Sequence, residues 1–387
     1  MLEFANRFDG VSGSEIRKIF SLLKNPEIIS FAGGNPSPEA FPNSELAAIS
    51  DKLIQKHGAS VLQYGATLGY PALIDALRQR HADIMRETDD IIILSGSSQG
   101  IELFTRALLN EGDPMLVESP TFLGALQTFY LAGADVQAVP LEDDGVNIEE
   151  LEELIKIKHP KFFYIIPTFQ NPSGKTTSLE KRKAVYELCA KYNVAILEDD
   201  PYEELRYEGE AIKSIKSMDE AGIVCRLFSF SKTVSPGIRV GYAIANKDVI
   251  EKLNLLKQGA DVHTSNLSQG MVAEFLGGAY EAHVSKLKQL YRQQRDAMLA
   301  ALDECAPAGV SYTRPKGGFF IWMTLPEGVD SRDVFARSVE QNVAFVPGMS
   351  FYTDKNHKNT LRLNFSMPSV DKISVGVKRL CEVIGAD

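Results

Sequence analysis

Asp89-Asp-Ile-Ile-Ile-Leu-Ser-Gly-Ser-Ser-Gln-Gly-Ile-Glu-Leu-Phe-Thr-Arg-Ala-Leu-Leu-Asn110 sets an apolar run, a polar turn and an amphipathic stretch one after another. Ile91 to Leu94 is short and β-branched, as a buried strand is, and Gly100 to Asn110 has helical spacing. The pattern recurs in Met115-Leu-Val117 with Gly124 to Leu131, and in Phe162-Phe-Tyr-Ile-Ile166 with a helix over Ser178 to Tyr192. Val194-Ala-Ile-Leu197 is another buried strand. Parallel strands need long crossovers, usually helices, so this alternation predicts an α/β fold around a mostly parallel sheet. Further strands near Val224 to Phe230 and Val240 to Ala245 leave Ser229-Phe-Ser-Lys-Thr-Val-Ser-Pro-Gly-Ile-Arg239 on the connection between them. Connections on a rigid scaffold are where functional side chains concentrate.

Beyond the sheet, Lys247 to Leu276 has helical character, and the charged stretch Ala282 to Asp303 has the spacing of a long helix that could bridge two domains. Val310 to Thr324, centred on Lys316-Gly-Gly-Phe319, reads as strands around a glycine turn. A helix over Arg332 to Gln341, strands near Val343 and Leu361, and a last helix from Val370 complete an α+β lobe. At 387 residues the chain exceeds what one core usually holds, which predicts two domains.

The net charge of -10 and a pI near 5.3 argue against nucleic acid, since there is no basic run to release counterions from a polyanion. Cys189, Cys225, Cys305 and Cys381 are widely spaced and form no Cys-x-x-Cys pair, so reduced and mostly buried thiols are expected rather than a disulfide framework or a zinc site. The six histidines show no metal spacing, and no metal is expected. With no basic-then-apolar leader pattern and no membrane-length apolar run, a cytoplasmic protein is expected.

Lys232 lies among Ser229, Ser231 and Arg239. An amine that condenses with an aldehyde, beside hydroxyl and guanidinium donors for a phosphate, suits pyridoxal 5′-phosphate. Ser95-Gly-Ser-Ser-Gln99 opens a helix after a strand, where free N–H groups and the helix dipole favour phosphate; Ser97 and Ser98 are either its contacts or ordinary helix caps. Asp199 and Tyr202 follow the strand Val194 to Leu197, at the edge where α/β proteins place ligands. The other reading of Asp199-Asp-Pro-Tyr202 is a turn with solvated acids, and of Asn171-Pro-Ser-Gly174 a plain turn.

Taken in order, Asn171-Pro-Ser-Gly, Asp199-Asp-Pro-Tyr, Ser229-Phe-Ser-Lys and Leu361-Arg-Leu-Asn resemble the class I aminotransferases of pyridoxal-phosphate fold type I, nearest the 2-aminoadipate and kynurenine/aminoadipate group. The resemblance runs from Ser14 to the C-terminal helix. It implies a large cofactor-binding domain over 46–280, with a seven-stranded type of sheet, and a smaller domain over 281–387 with which the segment 1–45 packs. It assigns the covalent cofactor bond to Lys232, the ring-nitrogen partner to Asp199, and the ring-oxygen partners to Tyr202 and Asn171; Asp200 is read as structural. Phe122 matches the stacking aromatic, often Tyr in the family, so a hydroxyl is lost here. Tyr64, in Gln63-Tyr-Gly, matches the tyrosine that reaches the phosphate of the other subunit, which implies a homodimer. Arg362 matches the arginine that holds the substrate carboxylate, with Gly34 letting backbone approach it; Arg17 matches a helix that can present an arginine to a distal carboxylate. Each of these has a plainer alternative: a core phenylalanine, an ordinary tyrosine, a salt-bridged strand arginine, a turn glycine and a solvated helix arginine.

The function expected is transfer of an amino group from an L-amino acid to a 2-oxo acid, 2-oxoglutarate by family habit. A carbon–sulfur β-lyase uses the same cofactor chemistry and is the nearest enzymatic alternative. A non-catalytic sensor, like the aminotransferase-like half of some transcription regulators, is the other; too few residues precede Ser14 for the DNA-binding domain that those proteins carry.

Overall fold

The computed structural model describes residues 2, 4–8, 25, 27–354 and 356–386. Strand β1 (Ile29–Ser30) precedes the large sheet, which is built from β2 (Asp89–Leu94), β3 (Pro114–Ser119), β4 (Asp135–Glu142), β5 (Gly145–Val146), β6 (Phe162–Ile165), β7 (Ala195–Asp199), β8 (Val224–Ser229) and β9 (Gly241–Asn246). Their spatial order is β2-β9-β8-β7-β6-β3-β4-β5. The neighbours from β8 through β7, β6 and β3 to β4 run parallel, as the helical crossovers require. Strand β9 is antiparallel to both β8 and β2, and two-residue β5 adds an antiparallel edge to the seven longer strands.

The apolar runs are continuous because both faces of the sheet are covered. Along β6, Phe162 and Tyr164 enter one core cluster with Ile92, Val117 and Leu197, while Phe163 and Ile165 enter another with Leu116, Ile196 and Val224. That is the two-residue alternation of a strand applied to two buried faces. Helix Leu179–Lys191 lies where its sequence places it: the Ser178 hydroxyl accepts from the Lys181 N–H, and Asn193, at φ 55°, ends it in the left-handed region. Lys247 to Leu276 is two helices rather than one, Lys247–Ala260 and Asn266–Leu276. Val262 takes φ 65° in the break, and the Ser265 hydroxyl caps the second helix at Ser268 N–H. Asp, Ser and Asn offer the backbone local alternatives to helix, and Asp261 is drawn away to Lys257, Ser95 and Gln99.

The second sheet is antiparallel, β10 (Ser311–Tyr312), β11 (Phe320–Thr324), β13 (Val346–Pro347) and β14 (Thr360–Asn364), in the order β10-β11-β14-β13. Strand β12 (Val343–Ala344) instead pairs in parallel with β1, Ile29 against Val343, which ties the N-terminal segment to the C-terminal lobe. The 26-residue helix Tyr280–Cys305 spans the molecule. Its Tyr280 and Val284 pack with Ile91 and Val272 beside the large sheet, and its Leu287, Tyr291, Met298 and Leu302 pack with Phe320, Leu361 and Leu380 of the other lobe. No helix among the described residues is long and apolar enough to cross a membrane.

Candidate active site

Asp199 and Ser229 are the last residues of β7 and β8, and Ser95 follows the end of β2, so one edge of the sheet gathers three motifs far apart in sequence. A cavity of about 300 Å³ opens there. It is lined by Gly34, Ser97, Ser98, Phe122, Asn171, Asp199, Tyr202, Ser229, Ser231, Lys232, Arg239 and Arg362, together with Asn35, Ile166, Pro201 and Pro236. Of the residues singled out from sequence, Tyr64 stands apart. It is 82% exposed, edge-on to the His263 ring at 6.0 Å, and lines a separate cavity with Gly65, Tyr70 and Asn266. Arg17 lies outside the described residues.

One end of the cavity is shaped for an anion. Helix Ser97–Leu108 begins with Gly96 as its cap and has no side-chain cap, so Ser97 and Ser98 are its first two residues rather than capping groups. Arg239, at φ 52°, donates from Nη2 to the Ser95 carbonyl at 2.6 Å and lies 3.5 Å from the Ser231 hydroxyl, which in turn is 2.9 Å from that of Ser229. Gly96 is required: its φ is 95°, and a Cβ there would lie 2.5 Å from Arg239 Nη2. Behind this end Lys257 Nζ donates to Gln99 Oε1 at 2.7 Å and to Asp261 Oδ1 at 2.8 Å, while Asp261 Oδ2 accepts from the Ser95 hydroxyl and from Gln99 Nε2, both at 2.9 Å.

The middle holds the titrating groups. Lys232 Nζ donates to the Gly34 carbonyl at 2.8 Å. Burial first, then the charges of Arg362 and Arg239, bring its amine down to about 8, with Asp199 opposing. Burial pushes the Asp199 carboxyl up to about 6, against the Tyr164 hydroxyl that donates to Oδ2 at 2.8 Å and the charge of Lys232. Asp199 Oδ1 is buried with no hydrogen-bond partner among the described residues. A buried carboxylate oxygen without a donor is costly, and a ring N–H⁺ reaching it would satisfy both groups. Burial raises the Tyr202 phenol, so its O–H stays protonated as a donor; Phe319 and Phe320 meet the ring edge-on at 5.6 and 5.8 Å. Asp200 turns away from the cavity to a buried cluster, accepting from Arg226 Nη2 at 3.0 Å.

The far end holds Arg362, 2% exposed. Its Nη1 donates to Asn171 Oδ1 at 2.8 Å and its Nη2 to the Ala32 carbonyl at 2.7 Å, while Nε has no partner among the described residues. The guanidinium lies 4.3 Å from the Phe320 ring centre and 5.0 Å from that of Phe351. Burial brings it down to about 10, the mark of a cation held without a carboxylate of the chain beside it. A phosphate end, an acceptor for a ring nitrogen, an amine near neutrality and a carboxylate-binding guanidinium thus line one space, and this set of groups fits pyridoxal 5′-phosphate with an amino acid beside it. Sequence reading missed Tyr164, although a hydroxyl in an otherwise apolar buried strand needs a partner and so signals one. It missed the Phe320 and Phe351 walls and the Lys257–Asp261 brace, which no local pattern marks.

Residues 26–380 match the family described as aminotransferase class I and II. The chain is 42% identical to an aromatic-amino-acid aminotransferase of Thermococcus litoralis, covering 98% of this chain and 94% of that protein. A kynurenine aminotransferase of Pyrococcus horikoshii, solved with PMP, superposes with a TM-score of 0.96 at 40% identity, over 99% of this chain and 97% of that one. The α-aminoadipate aminotransferase LysN of Thermus thermophilus, solved with a phosphopyridoxyl-leucine, gives 0.93 at 38% identity over the same shares. The geometry of the cavity and these likenesses agree that the chain belongs to the class I and II aminotransferases and is a pyridoxal 5′-phosphate-dependent enzyme that transfers amino groups.

Proposed function

We propose that this enzyme moves the amino group of an L-amino acid to 2-oxoglutarate at the cavity between the two sheets, with Lys232 as the cofactor-bonding and proton-transferring residue. The observation that carries this reading is one cavity that gathers Lys232, the buried Arg362 and Asp199, whose Oδ1 has no partner among the described residues. The cofactor supplies an electron sink for the substrate Cα, and its chemistry is its own. Ser97, Ser98, Ser229, Ser231 and Arg239 would hold its phosphate, Asp199 would keep its ring nitrogen protonated, Tyr202 and Asn171 would donate to its ring oxygen, and Phe122 would stack on the ring. Arg362 receives the substrate carboxylate in a two-bond fork, beside the Gly34 backbone. Lys232 Nζ takes the proton from the substrate Cα as general base and returns it as general acid.

The donor is a kynurenine-, aromatic- or aminoadipate-type amino acid in this reading, following the relatives. The large domain takes 46–280, and the small one 281–386 with the segment around β1 that pairs with β12, as far as the described residues go. Two copies pair so that Tyr64 of each serves the phosphate end of the other, a role its exposure on the isolated chain supports. The enzyme works in the cytoplasm. Replacing Lys232 by Ala tests the centre of the reading: turnover with 2-oxoglutarate is expected to vanish while the folded protein still takes up the cofactor non-covalently, and retained turnover counts against the assignment. Oxo acid and ammonia formed by the native enzyme without an acceptor would count against transamination.

A further inference from the structure

We propose that Cys305 and Cys381 are an oxidation site, forming a disulfide that staples the long bridging helix to the C-terminal helix. Cys305 is the last residue of Tyr280–Cys305, and Cys381 lies in the last half of Val370–Gly385. The two are 76 positions apart in the chain, yet their Sγ atoms are 2.6 Å apart. That is inside the roughly 3.5–4.0 Å at which unbonded carbons, smaller than sulfur, meet. It is about half an ångström from a disulfide bond length. The helices are held in place independently of the sulfurs: Leu302 of one and Val377, Leu380 and Ile384 of the other are buried in one cluster. The pair is therefore presented by a packed interface, and closing the bond asks for little beyond side-chain adjustment.

Access differs between the two sulfurs. Cys305 is partly exposed, while Cys381 is 4% exposed. Cys305 is thus the sulfur a soluble oxidant meets first, and Cys381 the one that resolves the intermediate. With a small dialkyl disulfide as oxidant, the Cys305 thiolate attacks one of its sulfurs and expels the other as a thiolate. The Cys381 sulfur then attacks Cys305 and expels the second. Two protein thiols lose two electrons and two protons in all, and the oxidant leaves as two thiols. Burial holds both protein thiols above their ordinary value, the hydrogen bond between the two sulfurs raising Cys381 further while it opposes the rise at Cys305, so exchange is run at mildly alkaline pH. Cys189 and Cys225, both buried, serve as internal controls.

The test uses the folded, cofactor-loaded enzyme, fully reduced and then freed of reductant. It is incubated with oxidised glutathione, denatured in the presence of an alkylating agent, and weighed intact and as peptides. The expected result is a chain lighter by two hydrogens before alkylation is counted, two alkylated thiols in place of four, and one peptide pair joining Cys305 to Cys381. The oxidised enzyme should melt a few degrees above the reduced one, because the bridge closes a long loop of the unfolded chain. Cys381→Ser should stop at a stable glutathione adduct on Cys305. Four alkylated thiols in the native enzyme, a native chain that keeps glutathione on Cys305, or a melting temperature that does not rise on oxidation would each overturn the proposal, and none of these depends on a variant folding.

Discussion

Lys232 owes its chemistry to where its ammonium would have to sit. Desolvation and the charges of Arg362 and Arg239 bring this partly buried amine down to about 8 from the ordinary lysine value of 10.5. The nucleophile is the neutral amine, so its supply is half-maximal at about pH 8 and levels about one unit above it. The rate at which the cofactor-free enzyme captures pyridoxal phosphate, followed by stopped-flow absorbance, is therefore expected to be half-maximal near pH 8 and to level about one unit above; a rate half-maximal near 10.5 would mean a solvated lysine. The need for an amine, a carboxylate and two arginines was legible in the motifs around Lys232, Asp199, Arg239 and Arg362. Their titration was not, because desolvation and neighbouring charge depend on what packs around a side chain. Tyr164 shows the same limit: it lies 35 positions before Asp199 in the chain and meets it only because β6 and β7 pair with Tyr164 beside Leu197.

Among the elements, the turn from β2 into helix Ser97–Leu108 does the most for the site. The motif Ser95-Gly-Ser-Ser marked it as a helix start, and both readings of the serines used that start. The structure separates them, since Gly96 takes the cap position with no side-chain bond and the serines are left facing the cavity. Gly96→Ala would place a residue with a Cβ at φ 95° and against Arg239 Nη2. Strain of that kind costs about 1–3 kcal/mol, so cofactor affinity, read by equilibrium dialysis, should fall about tenfold or more while the helix content stays unchanged. Unaltered affinity would show that the turn does not bear on the phosphate end. The break at Asp261–Ser265 is the counter-example at this scale. Helical spacing ran through it, and what ended the first helix was the recruitment of Asp261 by Lys257, Ser95 and Gln99, partners up to 166 positions away.

Across the whole molecule, the cavity exists because helix Tyr280–Cys305 joins two cores and because β1 returns the N-terminal segment to β12, which brings the Gly34 and Ala32 backbone against Lys232 and Arg362. Tyr64 is 82% exposed on the single chain and lies away from the cavity that gathers the other designated cofactor contacts among the described residues. If each site borrows it from a partner, a mixture of Tyr64→Ala and Lys232→Ala chains assembled together contains dimers with one site carrying both changes and one carrying neither. Such a mixture should exceed the mean activity of its parents, and a mixture that merely averages them would mean that Tyr64 is not shared between subunits. The strand and helix alternation, the motifs, and through them the family and cofactor, were determined by sequence alone, because hydrophobic period and turn chemistry act over a few residues. Tertiary structure alone decided the order of the strands, the antiparallel course of β9, the partners of Arg362 at separations of 191 and 330 residues, and the meeting of Cys305 with Cys381. These contacts join segments distant along the chain, and only the packing of the whole chain, through burial and the pairing of polar groups, selects which of them meet.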